Sequence, residues 1–280
     1  MATTTQAQPI LSALPPASGR AGFGGTLASE FTKIRSVRST YWTLLVLLVV
    51  SVGIGAAITG GTAASWSHMA PSDRASFDPT QASVAGLFYL GQLVIVVFGA
   101  MTLTAEYSTG MIRTSLTAMP RRTVVYAAKA TIFAIVALVV TFVAAFISFF
   151  LGQLLLSSTH DTATLSQPNV LRAVVGSALY VTLCGLFAFA VGAIVRHTAG
   201  TITAVIGVLF VVPILAHLLP QSWYQDVDRW LPDAAGRALS VTVGPPPGHL
   251  FSAWNQFAVF AVYTAVLLVV GAVLFLKRDA

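Results

Sequence analysis

The chain has 280 residues, of which 56% are hydrophobic and only 9% charged, and its mean hydropathy is +0.83. Long apolar stretches at that density exclude one soluble core with an ordinary polar surface and imply membrane spans. The net charge of +6 raises nucleic acid as a partner, but the basic residues do not gather on one soluble face, and a lone cysteine in an apolar run, Cys184, excludes a disulfide framework or a cysteine metal cluster.

Residues 1–26 are rich in Thr, Ala, Pro and Gly and contain no apolar run of a secretory-signal length, about 7 to 15 residues, so they read as a disordered cytoplasmic tail. From Leu27 the pattern changes. Leu27, Phe31, Ile34 and Tyr41 recur at helical spacing, with Glu30, Lys33, Arg35 and Arg38 largely between them, which predicts an amphipathic elbow helix at the membrane surface with Trp42 near the boundary. A plain basic flank that obeys the positive-inside rule is the alternative reading of these charges.

Six apolar runs follow, at about 41–59, 84–104, 130–156, 171–195, 198–219 and 254–276. The first offers a small-residue face in Ser51, Gly53 and Gly55 for close helix packing. The second carries an intramembrane amide, Gln92, which should turn from lipid toward other helices or a cavity. Spans four and five are joined by so short a connection at Arg196 and His197 that they must be antiparallel neighbours, and Pro213 should kink span five. The longest loop, 220–253, interleaves Trp223, Tyr224 and Trp230 with acids and predicts Trp-bearing helices at the outer surface, before Gly244 to Gly248 stop any helix.

Alternating loops sort by charge. With the N-terminus inside, the inner segments hold eleven cations against three acids and the outer segments four against six, net charges of +8 and −2 that together give the +6 of the chain. The bias places both termini in the cytoplasm and accounts for the basic pI without nucleic acid. An all-α membrane protein with six transmembrane helices results. Between spans two and three a polar, basic stretch from Glu106 to Lys129 interrupts the apolar pattern.

Catalytic chemistry is absent from the pattern. The sequence has no Gly-x-x-x-x-Gly-Lys phosphate loop, no Gly-x-Ser-x-Gly elbow and no His-Glu-x-x-His pair, and its five histidines lie in separate segments without metal-ligand spacing. Every Asp and Glu falls in a loop or at a span end, which argues against a carrier that couples to ions through buried carboxylates.

Ser29 to Trp42, Glu106 to Arg113 continuing to Pro120, Arg121, Arg122 and Lys129, the closing Arg278-Asp279-Ala280 and the six-span plan resemble permeases of the type-2 ABC exporter family, in particular those of high-GC Gram-positive bacteria. The resemblance covers nearly the whole chain after residue 26 and implies a single permease domain over 27–280 in a bacterial cell membrane. It implies an elbow built on Phe31, Lys33, Ile34, Arg35, Arg38 and Trp42. It also implies an ATPase-coupling element with Glu106, Tyr107, Gly110, Arg113, Pro120, Arg121 and Arg122. Gly110 would allow a turn, Pro120 would end a short helix, and Glu106 would pair with Arg113 or with an elbow base such as Arg35. The partners implied are a separate ABC ATPase subunit, which would bind ATP and Mg²⁺ where this chain binds no cofactor, and a second permease copy, identical or related. Gln92 is the one named polar candidate for substrate contact, against the plainer role of holding helices together. An ATPase-independent carrier or channel, and an ABC-like sensory complex that does not transport, are the alternative functions.

Overall fold

The computed structural model describes residues 22–119, 121–159, 161–242 and 252–277. The expected tail, Pro120, the Gly244 to Gly248 stop and Arg278 to Ala280 lie wholly or almost wholly outside these residues. The described chain is helical: α1 Phe23–Ser36, α2 Arg38–Ser65, a 3₁₀ turn Trp66–His68, α3 Pro71–Ala75, α4 Pro79–Gly86, a wide π turn Leu87–Gly91, α5 Gln92–Ser108, α6 Met111–Ala118 and α7 Arg122–Leu156. Then come α8 Val170–Val195, α9 Thr198–Ile206, a second π turn Gly207–Val211, α10 Val212–Ala216, α11 Gln221–Asp228, α12 Pro232–Ser240 and α13 Ala253–Lys277.

Six stretches are long and apolar enough to cross a membrane: Arg38–His68, Pro79–Ser108, Arg122–Thr159, Val170–Val195, Thr198–Ala216 and Ala253–Lys277. Each overlaps one expected span. The first three are longer than expected because the helices run on through polar residues at their ends. The clearest case is α7, which starts at Arg122 instead of near Ala130 and takes Lys129 into its length. Its 35 residues extend for about 52 Å at 1.5 Å per residue, well past a hydrocarbon layer of ~30 Å.

Spans two and four are the most buried and form the centre, with spans one, five and six largely facing outward. Lipid offers no hydrophobic drive between helices, so close approach comes from small residues. A Cβ at Gly99 of α5 would run into the Gly185 carbonyl of α8, and one at Gly86 of α4 into the Ser51 carbonyl of α2. Gly55 on α2 and Gly152 on α7 both close against Ser83 of α4. The packing face of α2 is thus Leu47, Ser51, Gly55 and Thr59, four residues apart, and the expected Gly53 lies on the opposite, open side.

Pro213 does bear on span five. It has no N–H for the carbonyl four residues back, and the helix widens into the π turn Gly207–Val211 just before it. Span two contains a like turn, Leu87–Gly91, without a proline.

At the start of span two, Asp78 holds two segments together. Its Oδ1 accepts the Thr80 and Gln81 backbone N–H groups at 2.9 Å each, capping α4, while Oδ2 accepts the Thr242 N–H at 2.6 Å and hydroxyl at 2.9 Å. Arg172 of α8 donates to the Val241 carbonyl at 2.8 Å. The loop expected to carry Trp-bearing surface helices holds two helices, of which only α11 lies on the surface. In α11 no residue is buried and Trp223 is exposed, whereas α12 buries Ala234, Ala235, Gly236 and Leu239, with Gly236 against Phe88 and Tyr180. Arg237 of α12 bonds Asp228 and Asp233; burial raises the Asp233 carboxyl above its ordinary range despite this partner.

Candidate functional site

The segment between spans two and three folds as a helix, a tight reversal and a second short helix. Thr109 closes α5, and Gly110 takes φ 71°, a left-handed conformation that Gly adopts without penalty. A side chain at Gly110 would meet open space, so its backbone angle, and not room for the neighbours, selects glycine there. Next, α6 is pinned by buried Ile112, and Met119 behind it is buried and extended at φ −136°, the conformation that a following proline favours. Arg121 then precedes α7 and Arg122 opens it.

Where this hairpin meets α1, four charged side chains close into one buried cluster. Lys129 Nζ on α7 lies 2.6 Å from Glu30 Oε2 on α1 and 2.7 Å from Glu106 Oε1 on α5. Lys33 Nζ on α1 lies 2.7 Å from Glu30 Oε1 and 3.3 Å from Glu106 Oε1, and donates to Ser115 Oγ on α6 at 3.1 Å. Lys129 is only 3% exposed, a position that no unpaired ammonium would occupy. Two carboxylates and two ammoniums balance, and they tie α1, α5, α6 and α7 together. Burial alone would raise the Glu30 carboxyl, but the Lys129 charge and the hydrogen bonds from both lysines outweigh it and hold it below the ordinary value of 4.5. Burial likewise opposes the charge on Lys33, and its bond to Glu30 and the charges of Glu106 and Glu30 lift it above 10.5.

A second set of contacts joins the hairpin to the far side of the bundle. The Arg196 guanidinium sits 4.8 Å from the Tyr107 ring centre and donates to the Leu274 carbonyl of α13 at 3.2 Å. Tyr126 donates to the Leu268 carbonyl at 3.1 Å, and Arg122 reaches Leu276 at 3.5 Å. Aromatic rings continue this line inward, Phe275 to Tyr126 to Phe189 to Phe133 to Phe98, with centroids 5.2 to 6.1 Å apart.

The expected coupling residues therefore fall on one hairpin, and Glu106 does pair with a base of α1, although that base is Lys33 and not Arg35 and a second partner, Lys129, was not expected. Glu106 pairs with Lys33 and Lys129, because α7 begins early enough to carry Lys129 alongside it, while Arg35 is exposed on the other face of α1. The side chain of Arg113 and the residue Pro120 lie outside what is described. On the elbow, the inward stripe is Thr26, Glu30 and Lys33, whereas Phe31 is 50% exposed. Ile34 is half-buried. Arg38 and Trp42 belong to α2, beyond the break at Val37, and both are exposed. Gln92 is buried just after the first π turn and its Oε1 has no partner among the described residues, so it faces the helix interior and not lipid. Sequence reasoning missed Glu30, Lys129 and Ser115 as members of the cluster. The available signal was that Glu30 and Glu106 are the only two acids before Asp279 in the segments that the charge bias assigns to one side. No group of residues with metal-binding potential occurs among the described residues.

A profile of ABC-2 family transporter proteins matches residues 26–222, from the elbow through span five into α11. The chain belongs to the ABC-2 transporter family. No curated protein matches it as a relative. This ABC-2 protein is a multi-pass membrane permease, and its ion cluster lies wholly within the matched residues.

Replacing Lys129 by Met should leave two buried carboxylates facing each other with Lys33 alone, a loss of roughly 3–5 kcal/mol, read as a lower melting temperature of the purified permease; Glu30→Gln with Lys129→Gln should lose clearly less. Attachment of α1 should also be flat with pH through the neutral range. The Glu30 contribution is complete above 4.5 and fades as pH falls through its lowered value, and that of Lys33 is complete below 10.5 and fades as pH rises through its raised value. Amide exchange of α1 that changes between about pH 6 and 9, after correction for intrinsic rates, would contradict the assigned pairs.

Proposed function

We propose that this permease is the membrane subunit of an ATP-driven exporter, that residues 27–280 form one permease domain, and that two copies build the pathway at their interface. Its ATPase is a separate subunit that docks on the hairpin from Glu106 to Arg122, binding ATP and Mg²⁺ there on its own residues. The observation that carries this reading is the buried cluster of Glu30, Lys33, Glu106 and Lys129, since a push on α6 is passed through it to the elbow and to spans two and three together. Ion pairing across an exposed docking face contributes only about 0.2–1 kcal/mol per pair, so the hairpin serves to position the partner and the buried cluster to transmit. In this reading the hairpin, the elbow and both termini lie in the cytoplasm of a bacterial cell and α11 outside, an orientation that the charge bias of the loops supports.

Thr114 and Thr117 are both exposed on α6, three residues apart on one face. Thr114→Glu with Thr117→Glu should abolish co-purification of the co-expressed ATPase while the permease alone melts as before; undiminished co-purification with normal turnover would remove the docking assignment. Cysteines at Lys33 and Asp226 should be labelled from opposite sides of the membrane, with buried Cys184 silent, and labelling from the same side would overturn the orientation.

A further inference from the structure

Beside the ion cluster lies a cavity of about 270 Å³ that the coupling geometry does not use. Its walls come from the α1–α2 junction and from span two between Phe98 and Thr109, with Ile34, Val37, Phe98 and Met101 supplying apolar surface. Val37 and Met101 are exposed, and so are Tyr41, Trp42 and Leu45 just beyond the junction on α2, so the cavity opens sideways onto apolar surface of the kind that faces lipid. From Thr109 back to Phe98 it reaches from the polar end of span two into the apolar run. That distance is about 16 Å at 1.5 Å per residue, close to half of a ~30 Å hydrocarbon layer and therefore to the depth of one leaflet.

The polar groups of the lining are already spent on partners within the chain. Glu30 and Glu106 balance Lys33 and Lys129 at 2.6 to 3.3 Å, and the three hydrogens of Lys33 go to Glu30, Glu106 and Ser115. Ser36, Thr43, Thr102 and Thr109 each donate their single hydroxyl hydrogen to a carbonyl of their own helix, on Lys33, Ser39, Phe98 and Ala105. A charged or hydrogen-bonding head placed among these groups would give up its water and find bonds only by breaking theirs. A hydrocarbon chain breaks none of them, and it brings contacts to Ile34, Phe98 and Met101 on the side where the cavity leaves them without neighbours.

We propose that this cavity holds one acyl chain of a phospholipid from the leaflet on the hairpin side, with the chain end against Phe98 and the ester and head outside, past Val37 and Met111. The chain lies between α1 and α5, the two helices whose carboxylates meet on Lys129, and so props the elbow against span two. The site belongs to the permease alone and stands whether or not an ATPase docks on the hairpin.

A phosphatidylcholine with a photoreactive diazirine near the end of one acyl chain tests it, mixed in rising fraction into nanodiscs that hold the purified full-length permease, with the labelled positions mapped by peptide mass spectrometry. Phe98 is only 7% exposed, so a lipid chain reaches it through the cavity and not from the surrounding bilayer. It should take label that saturates as the probe fraction rises, whereas exposed Val139 of α7 and Val269 of α13 should take label in simple proportion. Thr102→Leu and Ala105→Phe fill the cavity from two positions outside the ion cluster and the exposed face of α6. Each should lower the Phe98 label roughly tenfold, the loss expected when a site is blocked, and leave Val139 and Val269 unchanged. Phe98 left unlabelled, whether the cavity is empty or filled by protein, overturns the site, as does label there that never saturates or that is undiminished in both variants.

Discussion

An ammonium group taken out of water is among the most expensive things a helix bundle can contain, and Lys129 is taken out almost completely. What makes it tolerable is that two carboxylates from different parts of the chain reach it at 2.6 and 2.7 Å. Neither acid can leave without exposing the lysine to an uncompensated interior, so the position of the elbow helix and the end of span two are set by one atom on span three. Lys33 then returns the excess negative charge to balance and carries the connection to α6 through Ser115. The arrangement is weak evidence for net stability, because buried pairs often only break even against apolar packing, and much stronger evidence for a fixed geometry.

The rest of the bundle is built to let that geometry hold. Gly99 against Gly185 and Gly86 against Ser51 bring backbones close enough for dispersion to act, in a setting where burial of apolar area against lipid contributes little. The centre formed by spans two and four is dense and aromatic toward the end that carries the hairpin, where Tyr126, Phe189 and Phe275 meet near Tyr107 and Arg196. Spans one, five and six leave much of their apolar surface outward, as helices in a bilayer do.

Much of this was legible in the sequence. Hydropathy located six spans because lipid demands long apolar runs, and the lone Gly110 in a polar stretch marked the reversal. The failures share a cause. Hydropathy sees the end of an apolar run and not the end of a helix, so α7 was expected to start at Ala130 and Lys129 was placed in a loop, although its helix begins at Arg122. The apolar stripe of the elbow was legible, but the face that touches the protein is polar, Thr26, Glu30 and Lys33, and only tertiary contact reveals this. The assignment of Gly53 to the packing face of span one ignored that residues two apart on a helix do not share a face. The partners of Glu106 come from residues 73 and 23 positions away, and periodicity within one segment carries no information about them.

Span two has an acid near each end, Asp78 at its start and Glu106 at its close, and each is fastened to another part of the chain. The wide turn at Leu87–Gly91 is the irregularity between them. A π turn is in effect one surplus residue in the spiral, and it turns the side chains beyond it by about 100° from the register before it. The two fastened ends of the span therefore present different registers to the bundle, and the offset lets Gly86 and Gly91, at either side of the turn, both close on Ser51 of α2.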